Sequence, residues 1–299
     1  MIAKKIKYHN TGAPKNPAGI VVFLIIIGAL VLFPLVATIA GSFMTEQAIL
    51  LNYTSRVTVF DLVSGITEKF MKILLVPNPA SLEQYANVLI NQPSFIVLLF
   101  NSLKITLPVT IGALAAGILT AYGFTLWKWK HKEQFFMVYI VVMLMPLQAV
   151  LVPNYIIAAI FGIQKSYLAI ILPGIFSPFG VFLARQSMKV IPEAYFEAAR
   201  IDGANNWYIL FNILIPQLKS TVAALCMLTF IEYWNVVEQA VIFIDDYRLE
   251  PLSVYLSRLA DGRTALIFAA SCVYMFLPIW FLFSGQRDLE KGIELSGVK

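Results

Sequence analysis

Four consecutive residues, Glu232, Tyr233, Trp234 and Asn235, interrupt a long apolar run with side chains suited to a hydroxyl-rich ligand. The carboxylate accepts hydrogen bonds, the amide both donates and accepts, and the two rings offer flat apolar faces for stacking. Glu232 and Asn235 are three residues apart and share a helix face, which Tyr233 and Trp234 flank. Glu238 follows in the same run. Either carboxylate would cost roughly 2.5–3.5 kcal/mol at the centre of a lipid-facing helix, so both should face protein or a watery cavity. Hydrogen bonding between helices would use the same residues, and the sequence leaves these two roles open.

A second constellation is the charged stretch from Arg185 to Pro216, set between apolar runs. Ile191-Pro192-Glu193 reads as a helix start, with proline at the first helical position and an acid in the first turn. Glu197, Ala198 and Ala199 follow on that helix, then Asp202, Gly203 and Ala204, where the glycine supplies a stop and a turn. Asn205 can cap a second short helix, Asn206 to Leu214, on which Trp207, Leu210, Phe211 and Leu214 recur at helical spacing. A helix-turn-helix at a membrane surface is a docking device for a soluble partner.

Catalytic and metal chemistry find no support. The chain lacks a G-x-x-x-x-G-K-[ST] loop, an H-E-x-x-H pair and a G-x-S-x-G elbow, and its two histidines, His9 and His131, lie far apart in polar segments. Cys226 and Cys272 fall inside apolar runs as small packing residues, so neither a disulfide, a metal nor a cofactor is indicated. The expectation is a protein that is not an enzyme.

The elements that must hold these residues are membrane helices. The 299 residues are 59% hydrophobic and 13% charged, with a mean hydropathy of +0.78, which a soluble domain of this length does not show. Crossing a bilayer takes roughly 20 apolar helical residues. Six runs qualify: Ile20–Phe43, Asn101–Leu126, Phe135–Tyr155, Tyr167–Leu183, Thr221–Ile244 and Ala265–Ser284. They are continuous and not alternating, which argues against a barrel. The predicted fold class is an all-α integral membrane protein.

Basic residues set the orientation. With a cytoplasmic N-terminus, the inner segments carry Lys4, Lys5, Lys7 and Lys15; Lys128, Lys130 and Lys132; Arg185, Lys189, Arg200 and Lys219; and Arg287, Lys291 and Lys299, fourteen of the 22 Lys and Arg. Both termini are therefore expected in the cytoplasm. The net charge of +5 follows from this sorting and from contact with the lipid bilayer, so no nucleic-acid partner is implied. The first apolar run is too long for a signal-peptide core, and no A-x-A site follows it. The organisation predicted is a cytoplasmic segment 1–19, a six-span domain 20–284 and a cytoplasmic tail 285–299, with an extracytoplasmic segment 45–93 and the charged cytoplasmic loop 185–216 inside the domain. Pro146, Pro153, Pro173 and Pro178 fall in or beside spans three and four, as kinks or as ordinary span ends.

The charged loop resembles the EAA signature of ABC importer permeases: E-A-A, three residues, G, nine residues, then I-x-L-P. Here Glu197-Ala198-Ala199 is followed by Gly203 and then by Ile213-Leu214-Ile215-Pro216, with isoleucine in place of the leucine. The similarity runs over nearly the whole chain. Pro146-Leu147-Gln148, Ser177-Pro178-Phe179-Gly180, Asp202-Gly203-Ala204, Trp234-Asn235 and the closing Gly292 to Lys299 stand where carbohydrate-uptake permeases like the smaller permease of the maltose system carry similar strings. Ser220 departs from a common proline, and Glu294-Leu295 alters the tail.

The resemblance implies a permease subunit of a bacterial or archaeal cell membrane that imports a saccharide. Its partners would be a second homologous permease, two copies of an ATP-binding subunit and an extracytoplasmic substrate-binding protein. Glu197 to Ala204 would form a coupling helix and turn between helices 4 and 5, seated in a groove of the ATPase. Glu232, Tyr233, Trp234 and Asn235 would line the substrate pathway. The competing class, an ion-gradient transporter or channel working through Glu232 and Glu238, would need interrupted inverted repeats that the sequence does not display.

Overall fold

A computed structural model describes residues 17–53, 75–127, 129–258 and 264–296. The expected N-terminal segment 1–19, the extracytoplasmic segment 45–93 and the closing tail lie partly outside them. Among the described residues the chain is helical, with one isolated antiparallel bridge between Met44 and Ala80.

α1 (Pro17–Ser42) is apolar on every side and packs chiefly along the last helix. The short α2 (Glu46–Tyr53) and α3 (Glu83–Ala86) lead through a π turn, Asn87–Asn91, into α4 (Pro93–Leu126), which opens with proline at its first position. α5 (Lys132–Met143) and α6 (Leu147–Ile160) meet at an angle of 103°. Pro146 sits between them in extended conformation and interrupts the helix there. α7 (Leu168–Ile175) and α8 (Pro178–Lys189) are parted at Ser177, held extended ahead of Pro178.

α9 (Glu193–Ile201) is followed by α10 (Asn206–Tyr208), a π segment Ile209–Leu214 and α11 (Ile215–Gln217), which bends by 78° into α12 (Lys219–Trp234). α13 (Glu238–Phe243), α14 (Leu252–Arg258) and the 33-residue α15 (Thr264–Ser296) complete the fold. Among the described residues four helices are long and apolar enough to cross a membrane, or up to six spans if each bent pair counts as one.

These boundaries correct the sequence reading in several places. The second span begins at Pro93, eight residues earlier than expected, and the last helix continues well past Ser284. Arg185 belongs to the last turns of α8 and not to a loop. Pro192 caps α9 instead of opening it. Spans three and five are not continuous. Helix α12 ends at Trp234, and tertiary donors reach carbonyls at and after the break. Tyr274 donates its hydroxyl to the Trp234 carbonyl at 2.5 Å, and Ser253 Oγ donates to the Val236 carbonyl at 2.5 Å.

The core lies where α12 is wrapped by α4, α8 and α15. α4 and α8 touch backbone to backbone, since a Cβ on Gly117 would stand 3.1 Å from the Gly180 carbonyl carbon. One buried cluster joins Ile105, Val109, Ile170 and Tyr233; another, at the opposite end of the bundle, joins Ala121, Met188, Phe196, Ile209 and Leu214. The first holds the polar residues of α12, and the second holds the charged loop.

Candidate functional site: a docking loop and an interrupted-helix cavity

Phe196 and Ala199 are the inward residues of α9, 1% and 8% exposed, and they pack on Met188, Ile209, Leu210 and Leu214. Glu197, Ala198, Arg200 and Asp202 point away from the chain, as do Tyr195 and Ile201, the latter 85% exposed. The helix closes with two reversed hydrogen bonds: Gly203 N–H donates to the Arg200 carbonyl at 3.1 Å and Ala204 N–H to the Ala199 carbonyl at 2.9 Å. Gly203 has φ +83°, the left-handed geometry this closure requires.

Asn205 Oδ1 then accepts the Tyr208 N–H at 2.7 Å and caps the second helix. Tyr122 donates its hydroxyl to the Asn206 carbonyl at 3.1 Å and ties the turn to α4. Asp202, Gly203, Ala204, Asn205 and Tyr208 line a cleft of about 550 Å³. The expected apolar stripe of the second helix divides. Leu210 and Leu214 are buried, whereas Trp207 and Phe211 stack on each other at 6.1 Å on the outer face.

At the bundle's other end, the break after Trp234 opens a cavity of about 280 Å³ lined by Leu147, Glu232, Tyr233, Asn235, Glu238 and Gln239. The Glu232 side chain is turned outward from α12. Asn235 is partly occupied by the fold, since Nδ2 donates to the Ile231 carbonyl at 2.9 Å and Oδ1 accepts from the Tyr274 hydroxyl at 3.1 Å. Tyr233 is buried with its ring over Gly174. Trp234 departs from its expected place. It is fully buried, stacked between Phe230 at 5.6 Å and Tyr274 at 5.2 Å, and forms core instead of cavity wall. Glu232, Tyr233 and Asn235 thus come together at the cavity, and Trp234 does not.

Three features escaped the sequence reading. Gln148 donates to Glu238 across the cavity mouth, Arg185 pairs with Glu133, and Lys104 lies within α4, where its ammonium donates to Asn101 Oδ1 at 3.3 Å. A scan of the apolar runs for ionisable residues would have found Lys104; the other two pairings are tertiary. Beyond the cavity, the loop after α6 is joined to the loop after α13 by Lys165 and Asp245 at 2.8 Å, and hydrogen bonding to that carboxylate raises the Lys165 ammonium above the usual lysine range. Among the described residues no group of three His, Cys, Asp or Glu side chains could hold a metal ion.

Residues 109–287 match the sequence profile described as binding-protein-dependent transport system inner membrane component. The chain belongs to this family. The permease is 30% identical over 203 residues to the lactose transport system permease protein of Rhizobium radiobacter, covering 67% of this chain and 74% of that one. It is 28% identical over 294 residues to the sn-glycerol-3-phosphate transport system permease protein of Yersinia enterocolitica, covering 93% and 98%. An arabinooligosaccharides transport system permease protein of Halalkalibacterium halodurans is 24% identical over 276 residues, covering 91% and 93%.

The fold is that of a chain in the crystal structure of a bacterial ABC transporter that imports the acidic polysaccharide alginate. The TM-score is 0.75 at 20% identity, over 92% of this chain and 98% of the other. A second alginate ABC transporter structure, in complex with a periplasmic protein bound to an alginate pentasaccharide, matches with a TM-score of 0.58 at 14% identity over 91% and 96%. The resemblance to ABC importer permeases read from the loop is therefore met at the level of family and fold.

Proposed function

We propose that this permease is one membrane subunit of an ATP-driven importer of a saccharide. It crosses the membrane six times with both termini in the cytoplasm, the bent pairs α5–α6 and 206–217 with α12 each counting as one span. A second homologous permease forms the other half of the pathway. Two copies of an ATP-binding subunit carry the hydrolysis, and an extracytoplasmic binding protein delivers the substrate. The lactose and arabinooligosaccharide names of its relatives support the substrate class.

The observation that carries this reading is the two-faced helix α9. Its inner face is locked into the bundle by Phe196 and Ala199, while its outer face presents Glu197, the small Ala198 and Asp202, with Tyr195 and Ile201 exposed beside them. A small residue on an outer face lets a partner's groove approach the helix closely, and the Gly203 turn fixes the angle to the next helix. ATP-driven closure of the partner then moves α9 with the core to which it is bolted. At the other end, Glu232 and Asn235 offer hydrogen bonds to the passing sugar beside the ring edge of Tyr233.

Purification of the tagged permease, co-expressed with a sister permease, ATPase and binding protein from the same organism, tests the assembly. Recovery of all the membrane-associated subunits with ATPase activity supports it. A permease that purifies without the ATPase yet catalyses gradient-driven uptake would replace it with the ion-coupled class.

A further inference from the structure

Arg185 is fully buried near the end of α8, 0% exposed; among the described residues the other buried charged side chain is Glu250, 6% exposed, which pairs with Arg258. Its Nη2 donates to Glu133 Oε1 at 2.5 Å, at the start of α5. The guanidinium carbon lies over Phe136 of α5, 3.8 Å from the ring centre, and 5.8 Å from the ring centre of Phe124 of α4. Nε and Nη1 have no partner among the described residues. On stability alone this is a poor use of a buried site, because an apolar side chain of similar size would fill it at least as well.

The neighbours of Arg185 show what the pair connects. Ala184 and Met188, on the same turns of α8, share a buried cluster with Phe196 and Ala199 of α9. Any displacement of α9 must therefore displace the end of α8. Through Glu133 and Phe136 that end grips the first turns of α5, which leads to the 103° bend and to Gln148 on α6. Gln148 in turn holds Glu238 at the cavity.

We infer that the Arg185–Glu133 pair is the positioning joint by which movement of the docking helix α9 reaches span three and, through its bend, the cavity at Glu232 and Glu238. The charged, bidirectional contact makes α5 follow α8 both when α9 is drawn away and when it is pushed back, which apolar contact alone does not do for displacement along the interface. Arg185 touches neither ATP nor substrate in this scheme. The inference rests on the importer reading given above.

The test uses the full complex with its binding protein, with Cys226 and Cys272 replaced and a single cysteine at Leu147, on the cavity wall. Labelling by an impermeant maleimide is compared in nucleotide-free and vanadate-trapped complexes, and trapped nucleotide is measured in the same samples. With Arg185 and Glu133 intact, the labelling rate should change severalfold on trapping. Arg185→Met should trap as much nucleotide but lose that change, and Arg185→Lys, which keeps the charge, should recover part of it. The double variant Arg185→Met/Glu133→Ala leaves no lone charge and serves if a single variant does not assemble; it should behave like Arg185→Met. An unchanged response in these variants, or trapping and response that fall in proportion, overturns the joint. A wild-type complex that traps no nucleotide overturns the importer reading instead.

Discussion

Gln148 Nε2 donates to both carboxylate oxygens of Glu238, at 3.0 and 3.4 Å, across 90 residues of sequence. Each residue stands in the first turn of a helix that restarts after a break, Gln148 behind Pro146 and Glu238 behind the interruption at Asn235 to Val237. Two interrupted spans are thus latched to each other beside Glu232. Restarting helices place the positive end of a dipole next to the cavity, an arrangement fit for binding oxygen-rich ligands.

The first prediction concerns that cavity. Glu232→Ala and Glu238→Ala should each lower uptake of the saccharide that the system's binding protein carries, by roughly ten- to a hundredfold, since hydrogen bonds to charged groups contribute roughly 1.5–3 kcal/mol. The amount of assembled complex should not change, because both carboxylates lie at the surface of this chain. Uptake measured beside complex yield decides the matter, and parallel loss of both would assign these residues to bundle structure.

Trp234 should behave in the opposite way. Its ring fills the space between Phe230 and Tyr274, and removing a buried aromatic of this size costs roughly 3–5 kcal/mol. Trp234→Ala is expected to lower the thermal midpoint of the detergent-purified complex and its yield, whereas Trp234→Phe should keep most of both. A Trp234→Ala complex of normal stability with impaired uptake would return the residue to the pathway.

The contrast between these two residues shows what the sequence could and could not reveal. The geometry of the charged loop was legible because its determinants are local: Pro192, the φ-permissive Gly203 and the Asn205 cap act within a few residues of where they stand. Asn205 caps and Gly203 turns as their types dictate. The break in span five was not legible, because Val236 and Val237 carry no helix-breaking signal and the partners that meet the carbonyls there, Tyr274 and Ser253, are distant in sequence. The same cause misplaced Trp234: periodicity put it beside Glu232, but the side on which its ring falls is set by α15.

Topology offers a third test. Single cysteines at Lys130, Glu193 and Ser257, all at exposed positions, can be placed in a background lacking Cys226 and Cys272. An impermeant thiol reagent should label Ser257→Cys on intact cells and the other two only after permeabilisation. The basis is the sorting of basic residues, which places the loops after α4 and α8 on the cytoplasmic side. Labelling of Lys130→Cys and Glu193→Cys but not Ser257→Cys in intact cells would invert the orientation.

The last prediction separates docking from folding within a single helix. Ala198 and Ala199 are adjacent and identical in type, yet Ala198 faces outward and Ala199 is 8% exposed against the core. Ala198→Trp should leave insertion, stability and binding of the sister permease intact while abolishing recovery of the ATPase, because the indole would hold the helix off its groove. Ala199→Trp should instead overpack the cluster around Phe196 and Leu210, an effect worth roughly 1–3 kcal/mol or more, and reduce the amount of folded permease before any question of docking arises. Gly203→Val places a β-branched residue at φ +83°, so the turn would open and swing α10 away from α9. Its signature should be ATPase loss with a small drop in stability. The readouts are ATPase recovery on a tagged permease and thermal midpoint of the purified subunit pair. Should Ala198→Trp retain the ATPase while Ala199→Trp loses it with a normal midpoint, the inward face of α9 would be the docking face and the assignment of its two sides would be reversed.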